Sequence, residues 1–149
     1  MPYMPYMKDI NTISRCAAQY KNEKLSGSDL NGCQCTYILN ICKNPGISQD
    51  ELADMIYINK SNVTRQLSSL EENGYITRSL RESDRRVTEV YPTQKAQDIL
   101  PEVRDILHEW NEYITTGLSE EEKRLFFSLL ERISEQARQY IRERDKNSV

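Results

Sequence analysis

The sequence predicts a mainly α-helical α+β fold, and three observations in its 149 residues carry that prediction. Apolar residues recur at helical spacing over most of the chain, punctuated by Gly, Pro and Asn. Two short helical patterns meet at Tyr57-Ile58-Asn59. After them come two strand-like runs joined by a charged turn. Helix, turn, helix and then β-hairpin, over residues 48–93, is the order of a winged helix-turn-helix. Such a unit lays one helix in a DNA major groove with a basic wing beside it.

Each element has its own signal. Residues 9–24 form a first helix with Ile10, Ile13, Cys16, Ala17 and Tyr20 spaced by threes and fours. Ser26-Gly27-Ser28 ends it, and Asn31 is the expected N-cap of a second helix carrying Cys35, Ile38, Leu39 and Cys42 on one face. Asn44-Pro45-Gly46 stops that helix. Ser48 and Glu51 have capping-box spacing and open a third helix with Leu52, Ala53 and Ile56 inward. A fourth helix starts near Lys60-Ser61, buries Val63, Leu67 and Leu70, and ends at Asn73-Gly74, a left-handed cap.

Residues 75–80 and 87–91 read as strands, with residues 81–86 as a polar turn and Pro92 as the stop. Thr93 is expected to cap a fifth helix whose stripe runs from Ala96 through Val103, Ile106 and Trp110 to Ile114. Pro101 inside it should kink the helix or mark a first-turn irregularity. Ser119 and Glu122 form a second capping box, opening a last helix with Leu125, Phe126, Leu129, Leu130, Ile133 and Ala137 on one side. Arg138, Arg142, Arg144 and Lys146 gather toward its C-terminus, where cations suit the helix dipole.

The whole chain, residues 1–149, is expected to be one domain. Residues 30–92 would be the DNA-binding lobe, and residues 8–25 with 93–145 a base of dimerisation helices. So short a chain has few places to bury Trp110, Phe126 and Phe127 other than against a second copy.

Net charge is −3, which argues against coating nucleic acid through bulk charge. Location matters more. Over residues 60–86 there are six basic residues against four acidic ones, Glu71, Glu72, Glu82 and Asp84, while Glu120, Glu121 and Glu122 concentrate acid elsewhere. No apolar run approaches the ~20 residues that span a bilayer. The start, MPYMPYMKD, lacks the basic and apolar regions of a secretory signal and reads as a loose arm. The expectation is a cytoplasmic protein without a membrane partner.

Four cysteines, Cys16, Cys33, Cys35 and Cys42, are expected as free thiols. Their spacing gives one C-x-C, and His108 is the only histidine, so neither a closed zinc site nor any other cofactor is expected. Cys33 and Cys35 start a helix, where thiolate is favoured, although core packing also suits Cys35. No nucleophile–base pair, Gly-rich phosphate loop or metal triad is present, so an enzyme is not expected.

The buried stripe of the fourth helix turns Lys60, Ser61, Asn62, Thr64 and Arg65 outward. Arg65 can read a guanine edge and Asn62 an adenine edge, since both bond bidentately. Ser61 and Thr64 suit phosphates or bases, and the helix N-terminus favours phosphate. A solvated polar face that binds nothing has the same pattern; the neighbouring hairpin favours the functional reading. On that hairpin lie Arg78, Arg81, Asp84, Arg85 and Arg86. One wing arginine can enter a minor groove while a carboxylate orients the other.

Residues 44–96 resemble the multiple-antibiotic-resistance regulator (MarR) family of bacterial and archaeal repressors. The resemblance rests on four segments in order. They are Asn44-Pro45-Gly46-Ile47-Ser48-Gln49-x-Glu51-Leu52-Ala53, Lys60-Ser61-x-Val63-Thr64-Arg65, Leu70-Glu71-x-x-Gly74-Tyr75-Ile76-Thr77-Arg78 and Asp84-Arg85-Arg86. The usual Leu-Thr-x-x-Gly after the wing appears here as Tyr91-Pro92-Thr93-x-x-Ala96.

The resemblance implies a triangular homodimer on a pseudo-palindromic operator near its own promoter. Ser61, Asn62, Thr64 and Arg65 would then face the major groove, and Arg86, oriented by Asp84, the minor groove. It also implies release from DNA by a small phenolic or anionic effector in a crevice between the dimer base and the DNA-binding lobe. Tyr20, Tyr37, Trp110 and Tyr113, with Arg15 as anion partner, are candidates to line it; core or dimer-interface aromatics would show the same spacing.

Two alternatives stand beside this. One branch of the family senses organic hydroperoxides through a first-helix cysteine with tyrosines nearby, and Cys16 has Tyr20 one turn away. The residues around Cys16 match that branch poorly, and free cysteine often packs as a small hydrophobe. A winged-helix protein-interaction module is the other alternative, though such modules tend to lack paired wing arginines beside a polar recognition face.

Overall fold

The computed structural model describes residues 1–148. In order, the elements are α1 (Tyr6–Lys24), a 3₁₀ turn (Gly32–Gln34), α2 (Cys35–Lys43), β1 (Ile47–Ser48), α3 (Gln49–Ile56), α4 (Lys60–Glu72), β2 (Ile76–Arg81), β3 (Asp84–Pro92), α5 (Gln94–Ile114) and α6 (Glu120–Asn147). This is the mainly helical α+β architecture that the sequence predicts. The chain divides into two compact units, Met1–Trp110 and the residues from Asn111 onward.

In the first unit the core forms where apolar stripes converge. Tyr37, Ile38 and Ile41 come from α2, Leu52 and Ala53 from α3, and Val63, Leu67 and Leu70 from α4. Ile76 and Val90 come from the sheet, and Ala96, Leu100, Val103 and Ile106 from α5. The expected inward faces of α3 and α4 are therefore inward, as is that of α5 as far as Ile106, while Tyr113 and Ile114 at its end are exposed. In α2 the buried arc is wider than expected, because Tyr37 and Ile41 are covered as well.

α1 meets this core only near its C-terminal end, through Tyr20, with Leu25 buried just beyond it. Its expected stripe is correspondingly shallow. Ile10, Ala17 and Tyr20 are half-buried, while Ile13 and Cys16 are exposed. The close seat of α1 on the 3₁₀ turn depends on Gly32, since a Cβ there would lie 2.8 Å from Cβ of Lys21. Asn31 caps that 3₁₀ turn rather than α2 itself, in a reciprocal box with Gln34. Tyr6 and Met7, placed by the sequence in a loose arm, belong to α1.

The three strands form an antiparallel sheet in the order β1-β3-β2. β1 was not predicted: two residues are too few to show an alternating pattern. It pairs Ile47 with Val90 and Ser48 with Glu89. β2 and β3 pair from Ile76↔Pro92 to Leu80↔Thr88, and the register then jumps to Arg81↔Asp84. The polar turn expected over residues 81–86 is thus shorter. Only Glu82-Ser83 form the tip, and Asp84, Arg85 and Arg86 belong to β3. Residues 85–87 fall where the register breaks, an irregularity that re-aims side chains near a ribbon end.

α5 runs through Pro101 without a break in helical structure. Pro101 has no N–H to donate to the Gln97 carbonyl, and both residues lie on the exposed side of the helix. Thr93, expected as a cap, donates its hydroxyl to the Gly74 carbonyl at 2.6 Å.

The second unit holds the last turn of α5 and all of α6. Ser119 and Glu122 form the predicted capping box, and Lys123 lies 3.5 Å from both Glu112 and Glu120. No residue of α6 is buried. Leu125, Phe126, Leu129, Leu130 and Ile133 are exposed in the single chain.

Candidate nucleic-acid interface

α3 begins at a capping box in which Ser48 Oγ accepts from the Glu51 N–H at 3.0 Å and Glu51 accepts from the Ser48 N–H at 3.1 Å. Its end is set by Tyr57, a non-glycine residue with φ 55° in the left-handed region. That turn redirects the chain into Asn59, the N-cap of α4.

Asn59 organises the start of α4. Its Oδ1 accepts from the Asn62 N–H and from the Ser61 hydroxyl, both at 2.8 Å. The sequence placed Asn59 only in the joint; an Asn directly before a helical stripe was the available signal. Thr64 donates its hydroxyl to the Lys60 carbonyl at 2.9 Å. Lys60, Ser61, Thr64 and Arg65 are exposed and Asn62 is half-exposed. Lys60 lies 3.4 Å from Asp50 across the joint, an open ion pair of little energetic weight.

In the wing, Arg86 donates to Asp84 through Nε at 3.0 Å and through Nη2 at 3.1 Å. The Arg86 N–H also donates to the same carboxylate at 3.2 Å. These bonds hold the Asp84 carboxyl below its ordinary pKa, with the guanidinium bond the largest cause. Arg85 is exposed beside it.

Two other basic residues of the expected interface are engaged inside the fold. Arg78 turns inward with its side chain 20% exposed, and donates to Gln49 on α3 and to Ser68 and Glu71 on α4 at 3.1–3.2 Å. Arg81 Nε donates to Glu89 at 2.7 Å, and Glu89 in turn accepts from the Tyr91 hydroxyl at 2.6 Å. Both bonds lower the Glu89 pKa, that from Tyr91 most. The tyrosine ring lies over Gly46, which has φ +87°. Counting basic residues therefore overstates the charge free to meet a phosphate.

Gln34 was not singled out by the sequence. It is fully buried, and its Nε2 donates to Gln66 at 3.2 Å and to Ser69 at 3.3 Å on α4. A glutamine inside an otherwise apolar helical segment was the only available signal.

Of the proposed sensor residues, two are seen in contact. Tyr20 and Trp110 have ring centroids 5.1 Å apart, and the Tyr20 hydroxyl donates to Glu109 at 3.2 Å. Desolvation, and then Glu109, raises the Tyr20 pKa. Tyr37 is placed in the core, 1% exposed, because both flanks of α2 are covered. This is a correction to its expected place on a crevice wall. Its hydroxyl has no hydrogen-bond partner among the described residues. Arg15 is exposed on α1, and Tyr113 is exposed in the second unit.

All four cysteines are free thiols, and Cys16 is exposed. Burial pushes the thiols of Cys33, Cys35 and Cys42 up. For Cys33 this runs against the thiolate expected at a helix start, whereas Cys35, 1% exposed, packs in the core as the sequence also allows. Cys33 also donates its S–H to Asn31 at 2.8 Å. Among the described residues, no group of three His, Cys, Asp or Glu is placed to hold a metal ion. No helix among them is long and apolar enough to cross a membrane.

The sequence pattern of the MarR family matches residues 32–88, from the 3₁₀ turn into the wing. The uncharacterised HTH-type transcriptional regulator YybA of Bacillus subtilis is 29% identical over 127 residues, 85% of each chain. HTH-type transcriptional regulator BilQ of Clostridium symbiosum is 31% identical over 97 residues, 65% of this chain and 67% of BilQ. Among solved structures, a Listeria monocytogenes protein described as a MarR family transcriptional regulator, complexed with 26mer DNA, superposes with a TM-score of 0.85. It is 25% identical, and the match covers 96% of both chains.

Proposed function

The chain belongs to the MarR family, and from that membership we propose that it is a DNA-binding transcriptional repressor acting as a homodimer. The observation that carries the reading is the Asp84–Arg86 fork. It presents a guanidinium 90% exposed at the wing, in the same compact unit as the exposed polar N-terminal turn of α4. A guanidinium held ready by a carboxylate loses little freedom on entering a narrow groove. On this reading Ser61, Asn62, Thr64 and Arg65 meet base edges or phosphates in the major groove, with Lys60 and Arg85 adding phosphate contacts. Arg78 and Arg81 act by holding the wing rather than by touching DNA.

The exposed apolar residues of α6 support pairing with a second copy. A pseudo-palindromic operator follows from that symmetry. Release by a small phenolic or anionic effector is the family's expectation, and the contact between Tyr20 and Trp110 supports those two as part of its lining. Titrating salt against a duplex selected from a randomised pool tests the reading. Affinity should fall steeply as salt rises, through displacement of counterions from phosphates. Failure to retain any duplex at low salt would sink it.

A further inference from the structure

The C-terminal end of α4 is electrostatically awkward. Its last turn carries Glu71 and Glu72 and no basic residue, although helix C-termini favour cations. Neighbouring elements supply the missing charge. Arg78 of β2 takes Glu71. Lys95, in the first turn of α5, takes the helix end itself.

Lys95 Nζ donates to the carbonyl of Asn73, the C-cap of α4, at 2.6 Å and to Asp29 Oδ2 at 2.8 Å. It also sits 4.4 Å from the centroid of the Tyr75 ring. One ammonium thus joins the end of α4, the loop between α1 and α2, and the turn into β2. Two more bonds tie that turn to the root of α5. Gly74, with φ +80°, accepts from the Thr93 hydroxyl at 2.6 Å, and the Thr93 N–H donates to the Tyr75 carbonyl at 2.9 Å. Asp29 favours the charged amine and raises the Lys95 pKa.

We propose that Lys95 is a positioning residue for DNA recognition, pinning the Asn73 end of α4 to α5 and to the α1–α2 loop. It lies at the end of α4 opposite the proposed contact residues. A helix is stiff, so the orientation of its far end fixes where Asn62 and Arg65 point. Sequence-specific contacts demand that orientation, whereas loose phosphate contacts tolerate its loss. The inference rests on the DNA-binding reading.

The test compares full-length wild type, Lys95→Met, Lys95→Arg and Asp29→Asn on two duplexes: one selected from a randomised pool by the wild type, and a scrambled one of equal composition. Lys95→Met keeps the aliphatic stem and removes the charge. It should weaken binding to the selected duplex by about five- to tenfold and leave the scrambled duplex within about twofold. Lys95→Arg should restore selectivity, since a guanidinium can reach the same carboxylate and ring. Equal loss on both duplexes, or loss on neither, overturns the proposal. Should Lys95→Met fail to fold, Asp29→Asn carries the test: reduced selectivity supports the clamp and unchanged selectivity overturns it. If the wild type selects no duplex at all, the DNA-binding reading itself fails, an outcome distinct from these.

Discussion

Asp84 grips Arg86 at two points, Nε to Oδ1 at 3.0 Å and Nη2 to Oδ2 at 3.1 Å. The pair is two residues apart on one strand, so the carboxylate limits the guanidinium without adding any long-range contact. Replacing Arg86 by Ala should therefore cost binding and not folding. Duplex affinity should drop about tenfold, and the slope of log affinity against log salt should fall by about one. Asp84→Asn, which keeps one acceptor oxygen, should produce a smaller loss with the slope unchanged. An Arg86→Ala protein that binds as the wild type does would remove the wing from the interface.

Asp84 and Glu89 should both titrate below their ordinary ranges, because Arg86 stabilises the first carboxylate and Tyr91 with Arg81 the second. A carboxyl whose folded pKa is depressed adds stability that is present above its unfolded pKa and lost as pH falls through the folded one. The wing should accordingly keep its form through the usual carboxylate range and loosen only in stronger acid. Carbon-13 titration of the side-chain carboxyls reads this directly, and inflections at ordinary positions would show that the bonds do not persist in solution.

Tyr37 is buried, and its hydroxyl has no hydrogen-bond partner among the described residues. A buried donor left unsatisfied costs about 1–3 kcal/mol, so Tyr37→Phe should leave stability unchanged or raise it by about 1 kcal/mol. Urea unfolding measures the difference. A clear loss of stability would mean that the hydroxyl has a partner, such as a buried water.

Gln34 presents the opposite case: its amide is used on every side. It closes the box with Asn31 and donates to Gln66 and Ser69. Gln34→Leu should destabilise by about 1–3 kcal/mol by stranding the Asn31 N–H, which loses its acceptor. An unchanged urea midpoint would show that water replaces the network.

The exposed apolar side of α6 gives a prediction about association. Leu129→Glu with Ile133→Glu should yield a folded monomer by light scattering, with much weaker duplex binding, because two half-site contacts no longer act together. A wild-type protein that is already monomeric at micromolar concentration would exclude the homodimer.

The readable parts of this chain were those fixed by local chemistry. Ser48 with Glu51 and Ser119 with Glu122 declare their helix starts by spacing alone, and both boxes form. Val63, Leu67 and Leu70 declare the inner face of α4, which leaves the outer face by subtraction. Long-range pairing was not readable. Nothing local in Arg78 distinguishes a residue that meets a phosphate from one that meets Glu71 seven positions back. Tyr37 has the spacing of a crevice-lining aromatic and of a core one alike, and only the assembled fold, which leaves it 1% exposed, decides between them. β1 owes its existence to β3, not to its own two residues.

Ser48 is at once the last paired residue of β1, opposite Glu89, and the cap of α3. The ribbon is therefore built like a cantilever, bolted to α3 at its root and unsupported past Thr88. Bending at the root would have to uncap a helix, whereas bending in the outer span around Glu82-Ser83 would not. Residues inserted at that tip would lengthen the beam while leaving its anchorage untouched, and loop closure would charge little for the extra length. The reach of the wing and the stability of the lobe that carries it can consequently vary independently.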